Sequence, residues 1–356
     1  MNAEEEIAKI EEELSRTQYN KHTQGHIGKL KAKLAKLAVE KEKQHGGGQS
    51  LGYAVRKTGD ATVLLVGFPS VGKSTIINCL TSAESKTGAY DFTTIGVIPG
   101  MLLFRGALIQ ILDIPGIVSD AAAGKGMGRR VLSVVRNADL VLIVVDELSQ
   151  IEVVRRELYN GGFRLDMRRP DVTIAKKETG GLSVNIAVKK ARLDADTVRQ
   201  VLGEFKIHNA DVLIRENVTI EALIDSVMKN RVYVPSLVVV NKVDRMDAGS
   251  VRRLGREAVA ISALKGQNIG ALKDAIWAKL GLMRVFMKLP GREADMNEPL
   301  IMKRGCTVLD AAEKTLRARS KYLKYARIWG PSAKFPEQKV GPEHRLSEGD
   351  IVELHA

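Results

Sequence analysis

Cysteine is almost missing from this chain. Cys79 and Cys306 each stand among apolar or small residues, with no second Cys or His at metal-ligand spacing, which argues against both a disulfide framework and a zinc site. Long apolar runs are missing too. No stretch approaches the roughly 18 consecutive apolar residues that a membrane-spanning helix needs. The start Met1-Asn2-Ala3-Glu4-Glu5-Glu6 is acidic, where a secretory leader would be basic and then apolar. The expectation is a soluble, cytoplasmic protein with no membrane partner. Acidic charge is in deficit: 42 Asp and Glu against 55 Lys and Arg leave a net +13. Clustered cations gain affinity for polyanions by releasing phosphate counterions, so this excess points to such a partner. The same balance also serves solubility alone.

What is present begins with helical texture. Between residues 4 and 43, Ile7, Ile10 and Leu14, then Ile27, Leu30, Leu34 and Leu37, recur at three-and-four spacing, which predicts two amphipathic helices joined near Gly25. The second carries Lys29, Lys31, Lys33, Lys36, Lys41 and Lys43, either as a solvated face or as a surface for RNA. Gly46-Gly47-Gly48 then reads as a flexible joint.

From Ala61 onward, short apolar runs alternate with Gly-rich turns and amphipathic segments, the pattern of buried parallel strands and helices. Thr62–Val66, Leu108–Leu112, Leu140–Val145, Leu237–Val240 and Ala258–Ile261 are the core strands of a doubly wound, mostly parallel α/β sheet. Over 166–234 lies an inserted α+β subdomain. In it, Val172–Lys177 and Leu182–Val188 read as a β-hairpin turning at Thr179-Gly180-Gly181, Asp194 as the N-cap of a helix through Leu202, and Ile220–Met228 as a further helix. Past Pro290, Met302–Val308, Ala326–Trp329 and Ile351–Leu354 read as strands, and Ala311–Leu316 as a helix beginning after Asp310. That order fits a small β-grasp domain. The domain plan is thus helices over 1–48, an α/β core over 60–165 and 235–285, an insert over 166–234 and a β-grasp tail over 286–356. At 356 residues, the chain is long enough for such a set of folding units.

Gly67-Phe68-Pro69-Ser70-Val71-Gly72-Lys73-Ser74 matches the phosphate-loop pattern G-x-x-x-x-G-K-[ST], after a strand and before the helical Thr75–Leu80. Its glycines allow a close wrap around phosphates. Backbone N–H groups face the α- and β-phosphates, Lys73 reaches the β- and γ-phosphates, and Ser74 supplies an oxygen to Mg²⁺. In Asp113-Ile114-Pro115-Gly116, Asp113 can hold Mg²⁺ through water and the Gly116 N–H can contact the γ-phosphate. In Asn241-Lys242-Val243-Asp244, the Asp244 carboxylate can accept from both N1–H and the exocyclic amine of guanine. Adenine lacks that donor pair and would leave a charge unpaired, so Asp244 selects GTP over ATP. Ser262-Ala263-Leu264 can offer a backbone N–H to the guanine O6. In Phe92-Thr93-Thr94, a hydroxyl, of Thr94 in preference to Thr93, can complete the Mg²⁺ shell only when the γ-phosphate is present, which makes the loop a two-state element. The metal-binding set is Ser74, Thr94 and Asp113; the groups acting on the transferred phosphate are Lys73, Thr94 and Gly116.

With these motifs in place, the chain resembles the developmentally regulated GTP-binding proteins of the Obg-like GTPases, in a form of archaeal or eukaryotic type. The resemblance runs through Lys29–Leu37, Gly67–Thr75, Asp91–Thr94, Gly124-Lys125-Gly126-Met127-Gly128-Arg129, His208–Glu216 and Lys324–Gly330. It implies a TGS domain in the tail, GTP hydrolysis, action around ribosomes and translation, RNA rather than DNA as the nucleic-acid partner, and a dedicated regulatory partner protein. One departure from small regulatory GTPases bears on mechanism. Where many of those have a water-orienting Gln, this chain has Ile117. The resemblance therefore implies slow turnover helped by Lys125 or Arg129, by a partner, or by a monovalent cation near Ser70, which leaves K⁺ open. Lys125, Arg129 and Arg130 can equally be solvated charges. Tyr325 and Trp329 can stack on bases or fill a core. Two rivals remain on sequence grounds: an ATP-using P-loop enzyme, which Asn241–Asp244 opposes, and a P-loop scaffold working through protein partners with incidental hydrolysis.

Overall fold

The computed structural model describes residues 3–44, 58–81, 98–113, 138–246, 249 and 258–355. In chain order, α1 (Ala3–Arg16) and α2 (Gln24–Gln44) precede β1 (Ala61–Val66), α3 (Lys73–Thr81), β2 (Ile98–Phe104), β3 (Ala107–Asp113), β4 (Leu140–Val145) and α4 (Ser149–Asn160). Next come β5 (Phe163–Leu165), β6 (Val172–Lys176), β7 (Leu182–Ile186), α5 (Ala195–Glu204), β8 (Ala210–Ile214), α6 (Ile220–Met228) and β9 (Val232–Val234). The chain continues through β10 (Ser236–Val240), β11 (Ala258–Ala260), α7 (Ile269–Leu280), β12 (Leu282–Met287), β13 (Leu300–Lys303), α8 (Val308–Leu316), β14 (Tyr325–Trp329), β15 (Gln338–Val340) and β16 (Ile351–His355). Two compact units result: the N-terminal helices join Leu158–Tyr233 in one, while the described residues from 58 to Glu157 and from Val234 onward form the other. No helix among the described residues is long and apolar enough to cross a membrane.

In the second unit the sheet order is β11-β10-β4-β1-β3-β2. All neighbours are parallel except β2, which pairs antiparallel with β3. Every residue of β1, β4 and β10 is buried, so apart from Thr62 and Ser236 these strands carry apolar runs rather than alternation. β12 leaves this core directly from α7 and opens a second, mixed sheet of order β13-β12-β16-β14-β15. Here only the β12–β16 pair is parallel, and α8 packs on one face through Val308 and Ala311 against Ala326, Ile328 and Val352. This is a P-loop α/β domain followed by a β-grasp domain. Leu282 and Ile301 of the β-grasp sheet belong to the α/β core cluster, and Lys314 reaches Asp60 at 3.3 Å while Lys303 reaches Asp139 at 3.2 Å.

Sequence reading and structure differ at three places in this architecture. β6 and β7 are not a hairpin: β8 lies between them, antiparallel to β6 and parallel to β7. The Gly180 and Gly181 turn does reverse the chain, with φ of +100° and +72°. Asn209, just before β8, holds that turn by accepting from Gly181 N at 2.8 Å and donating to Glu178 O at 3.0 Å. The helical joint is also not at Gly25. An Asx turn reverses the chain earlier, where Asn20 Oδ1 accepts from His22 N and Thr23 N, both at 2.9 Å. Gly25 lies inside α2 for a packing reason: a Cβ there would sit 2.5 Å from Gln200 Oε1, and one on Gly28 would sit 2.9 Å from Val201 Cγ2. In the tail, the strand is Leu300–Lys303 and α8 starts at Val308, capped by Thr307; Asp310 completes a capping box instead of preceding the helix.

The first unit is built around one shared core. Ile27 and Ala32 of α2 are buried with Val198, Val201, Ile214, Leu223 and other residues of the insert. The lysines of α2 are drawn into this packing: Lys29 pairs with Glu204 at 3.7 Å, Lys31 with Glu221, Lys33 with Glu6 at 2.6 Å, and Lys36 donates to Glu204 O at 2.6 Å. Of the two readings of this basic helix, neither a purely solvated face nor a free RNA surface describes these four. Buried Arg164 forks onto Asp225 at 2.5 and 2.8 Å, and Arg231 adds a third bond to the same carboxylate at 2.9 Å. The Gly46-Gly47-Gly48 joint lies outside the described residues.

Candidate functional site

The parallel sheet delivers its polar residues to one edge, because the carboxyl ends of β1, β3, β4, β10 and β11 all lie there. β1 runs into Gly67–Gly72 and then α3, the strand–loop–helix that a phosphate loop requires. Side chains are excluded at two points of this loop. A Cβ on Gly67 would lie 2.1 Å from Val144 O; Gly72 has φ +95°, and a Cβ there would meet Asn241 Nδ2 at 2.4 Å. Ser70 also holds a positive φ, 63°. Val71 turns inward to the core while Pro69 and Ser70 face out.

Lys73 Nζ donates to the carbonyls of Gly67 and Phe68 at 3.1 and 3.0 Å, curled over its own loop. Burial pulls its ammonium below the usual lysine range, with Asp113 opposing that shift. Asp113, at the end of β3, is only 6% exposed. Burial raises its carboxyl above the ordinary value, against the pull of Lys73 and of Ser74. Ser74 Oγ donates to Asp113 Oδ2 at 3.4 Å, while Asp113 Oδ1 is buried with no hydrogen-bond partner among the described residues. A buried carboxylate oxygen left open beside a hydroxyl oxygen is a donor pair suited to a hard divalent cation with its water.

At the other end of the edge lies a cavity of about 170 Å³ lined by Ser70, Gly72, Thr75, Asn241, Lys242, Asp244, Arg245, Ser262 and Leu264. This is smaller than a pocket for a whole drug-sized ligand; it suits the flat base end of a nucleotide. Asp244 sits in a short 3₁₀ turn, where a hydrogen bond with Ser262 holds its carboxyl below the usual range, helped by Lys265 at 3.7 Å. It is therefore ionised at neutral pH, the form that accepts two donors. Asn241, 3% exposed, is a cross-tie: Nδ2 donates to Val71 O at 2.8 Å and Oδ1 accepts from Ala263 N at 3.0 Å. It joins the phosphate loop to the Ser262-Ala263-Leu264 loop. Leu264 is 76% exposed at the pocket mouth.

Two contributors escaped the sequence reading. Asp146, directly after β4, binds Lys242 Nζ at 2.7 Å and is itself held by Gln150 at 2.8 Å, which fixes where the Lys242 stem lies. An acid immediately after a buried strand, at the same edge as Asp113, was the available signal. Cys79 Sγ donates to Ala263 O at 3.0 Å from α3. Of the residues expected at the site, Gly67, Pro69, Ser70, Val71, Gly72, Lys73, Ser74, Thr75, Asp113, Asn241, Lys242, Asp244, Ser262, Ala263 and Leu264 lie along this one edge. Thr93, Thr94, Gly116, Ile117, Lys125, Arg129 and Arg130 lie outside the described residues.

Comparison with known proteins bears on this geometry. A family described as 50S ribosome-binding GTPase matches residues 62–177, the C-terminal region of that domain matches 179–282, and the TGS domain matches 283–356. An uncharacterised GTP-binding protein of Methanocaldococcus jannaschii is 50% identical over 363 residues, covering 99% of this chain and 93% of its own. Developmentally-regulated GTP-binding protein 1 of Xenopus laevis is 41% identical, covering 98% of this chain and 97% of its own. The chain belongs to the developmentally regulated, Obg-like GTPases. Its fold is shared with the solved YchF GTPase of Schizosaccharomyces pombe, 15% identical at a TM-score of 0.50, covering 84% of this chain and 99% of that one. In this GTPase the β-grasp domain is the TGS domain.

Proposed function

We propose that this GTPase is a switch of archaeal or eukaryotic type that hydrolyses GTP slowly until stimulated, acts around translation in the cytoplasm, and docks on RNA or the ribosome through a basic appendage. The observation that carries the switch chemistry is the open, buried Oδ1 of Asp113 beside Ser74 and Lys73. Ser74 and Asp113, with Thr94 from the sensing loop, would hold Mg²⁺, which when bound neutralises charge on the β- and γ-phosphate oxygens. Lys73 leaves its two loop carbonyls for those same oxygens, and its lowered proton affinity is restored by phosphate charge. The Gly116 N–H marks the γ-phosphate. Asp244 accepts the guanine donors, a backbone N–H of the Ser262-Ala263-Leu264 loop other than that of Ala263, which Asn241 holds, faces O6, and Lys242, steered by Asp146, lies along the base. Ile117 supports slow intrinsic turnover, since an apolar side chain orients no water; K⁺ beside Ser70 or a dedicated partner protein would supply the missing help. The ribosome reading is supported by the description of the family matched over 62–177 and by the TGS match.

Isothermal titration with GTP and ATP, with and without MgCl₂, tests the site. GTP should bind far more tightly than ATP and should gain affinity from MgCl₂. Equal affinity for ATP would overturn the base-pocket assignment; indifference to MgCl₂ would overturn that of Asp113 and Ser74. Co-sedimentation with ribosomes across a salt series tests the docking, and salt-insensitive association would count against a phosphate-bound appendage.

A further inference from the structure

The basic excess has to be located before a polyanion can be placed. On α2, Lys29, Lys31, Lys33 and Lys36 are all engaged within their own unit. The TGS domain differs. Between α8 and β14 the chain reads Arg317-Ala318-Arg319-Ser320-Lys321-Tyr322-Leu323-Lys324, with four cations and no acid. All four cations are exposed, and among the described residues none has a carboxylate partner. Tyr322 is 71% exposed in their midst.

This ledge is built, not loose. Arg317–Tyr322 form a 3₁₀ helix, whose i, i+3 register sets Tyr322 on the same side as Arg319. Ser320 is buried and its Oγ donates to Arg317 O at 2.7 Å, while Leu323 packs on the TGS core. Arg317 itself has φ +50° and ψ −117°, a conformation side chains rarely adopt and one that the surrounding bonds must impose. The ledge leads into β14, where Tyr325, Arg327 and Trp329 alternate with the buried Ala326 and Ile328. The rings there are covered: Tyr325 stacks on His355 with Lys339 4.0 Å from its centroid, and Lys288 lies 4.7 Å from that of Trp329. Tyr322 has no such cover.

We propose that the ledge Arg317–Lys324 is the surface through which this GTPase grips single-stranded RNA, with Arg317, Arg319, Lys321 and Lys324 on phosphates and the Tyr322 ring on an unpaired base. It rests on the RNA reading above and names where that reading is realised. A planar, exposed ring among cations matches a stacked base along a polyanion. A bilayer would call for an apolar wedge, which this run does not offer.

The test uses the full chain and a fluorescein-labelled, mixed-sequence single-stranded RNA of about 16 nucleotides, with anisotropy read across a KCl series. Arg319→Gln/Lys321→Gln should flatten the slope of log affinity against log salt by about 1.4, at about 0.7 for each single-strand phosphate that is no longer neutralised. Tyr322→Ala should weaken binding about tenfold with the slope unchanged. The control Lys189→Gln/Lys190→Gln, an equal charge change on the insert, should leave both untouched. Salt-dependent binding that Arg319→Gln/Lys321→Gln leaves intact would overturn the ledge and spare the RNA reading. A wild-type chain with no salt-dependent RNA binding would overturn that reading and the ledge with it. Loss of binding to phosphatidylserine vesicles in the same variants, without RNA binding by the parent, would overturn RNA as the occupant.

Discussion

Removing the side chain of Asn241 isolates what the cross-tie between two nucleotide loops contributes. In Asn241→Ala, Val71 O loses its donor and Ala263 N its acceptor, bonds of 2.8 and 3.0 Å at a residue 3% exposed. An unmade bond at a buried group costs about 1–3 kcal/mol. The adjacent cavity admits water, so the lower end applies, about 2 kcal/mol for the two together. Without nucleotide the loops can separate and rehydrate; with it they must hold their places around phosphate and base. The loss therefore falls on affinity, and about 2 kcal/mol is roughly a thirtyfold rise in Kd, expressed mainly as faster dissociation. Stopped-flow release of fluorescent GDP measures it directly. Asn241→Asp should be at least as damaging, because it keeps an acceptor for Ala263 N but turns a second acceptor toward Val71 O. An unchanged release rate with a lowered melting temperature would refute the argument and leave Asn241 as a fold residue only.

Three further outcomes follow from neighbouring geometry. Burial raises the Asp113 carboxyl above 3.8, so the folded chain holds that proton more tightly than the unfolded one; the stability this group contributes is complete below the ordinary value and is lost as pH rises through the raised one. Asp113→Asn should consequently raise the melting temperature of the nucleotide-free protein at pH 7 while abolishing the gain in GTP affinity from MgCl₂, and a variant less stable than its parent would contradict this. Asp146→Ala frees Lys242 and should speed GDP release about fivefold, for a pair worth about 1 kcal/mol; release at the parental rate would remove Asp146 from the site. Arg164→Ala takes the forked partner from buried Asp225 and should cost about 3 kcal/mol in urea unfolding, whereas a loss under about 1 kcal/mol would show that Arg231 alone suffices.

Legibility from sequence tracked the range of the forces involved. β1, β4 and β10 could be read because complete burial leaves a largely apolar run, β3 and β11 because they are short apolar runs although less completely buried, and the phosphate loop because each of its constraints is local. The β6–β7 hairpin failed because its turn is local but its pairing is not: inserting β8 is a long-range choice, and alternation in all three strands fits either order. β2 was not seen, since Pro99 and Gly100 interrupt an edge strand that owes its place to β3. Gly25 misled for a related reason. A glycine at a predicted joint suggests a turn, but here it admits Gln200 from a helix far along the chain. Charge was the least legible. Six lysines on α2 carry one sign in sequence, and only tertiary structure shows that four are already matched.

That matching sets a schedule for synthesis. Lys36 and its acceptor on Glu204 are 168 residues apart, and the glycine face of α2 has no core until α5 exists to meet it. At about 5–20 residues per second, α1 and α2 leave the ribosome roughly ten to thirty seconds ahead of their partner. Through that interval Ile27 and Ala32 have only α1 to lean on, and the α/β domain's early strands emerge between them and their destination. A segment made early is thus among the last to be finished, and a chain interrupted within the insert leaves behind an amphipathic hairpin with its inner face in water.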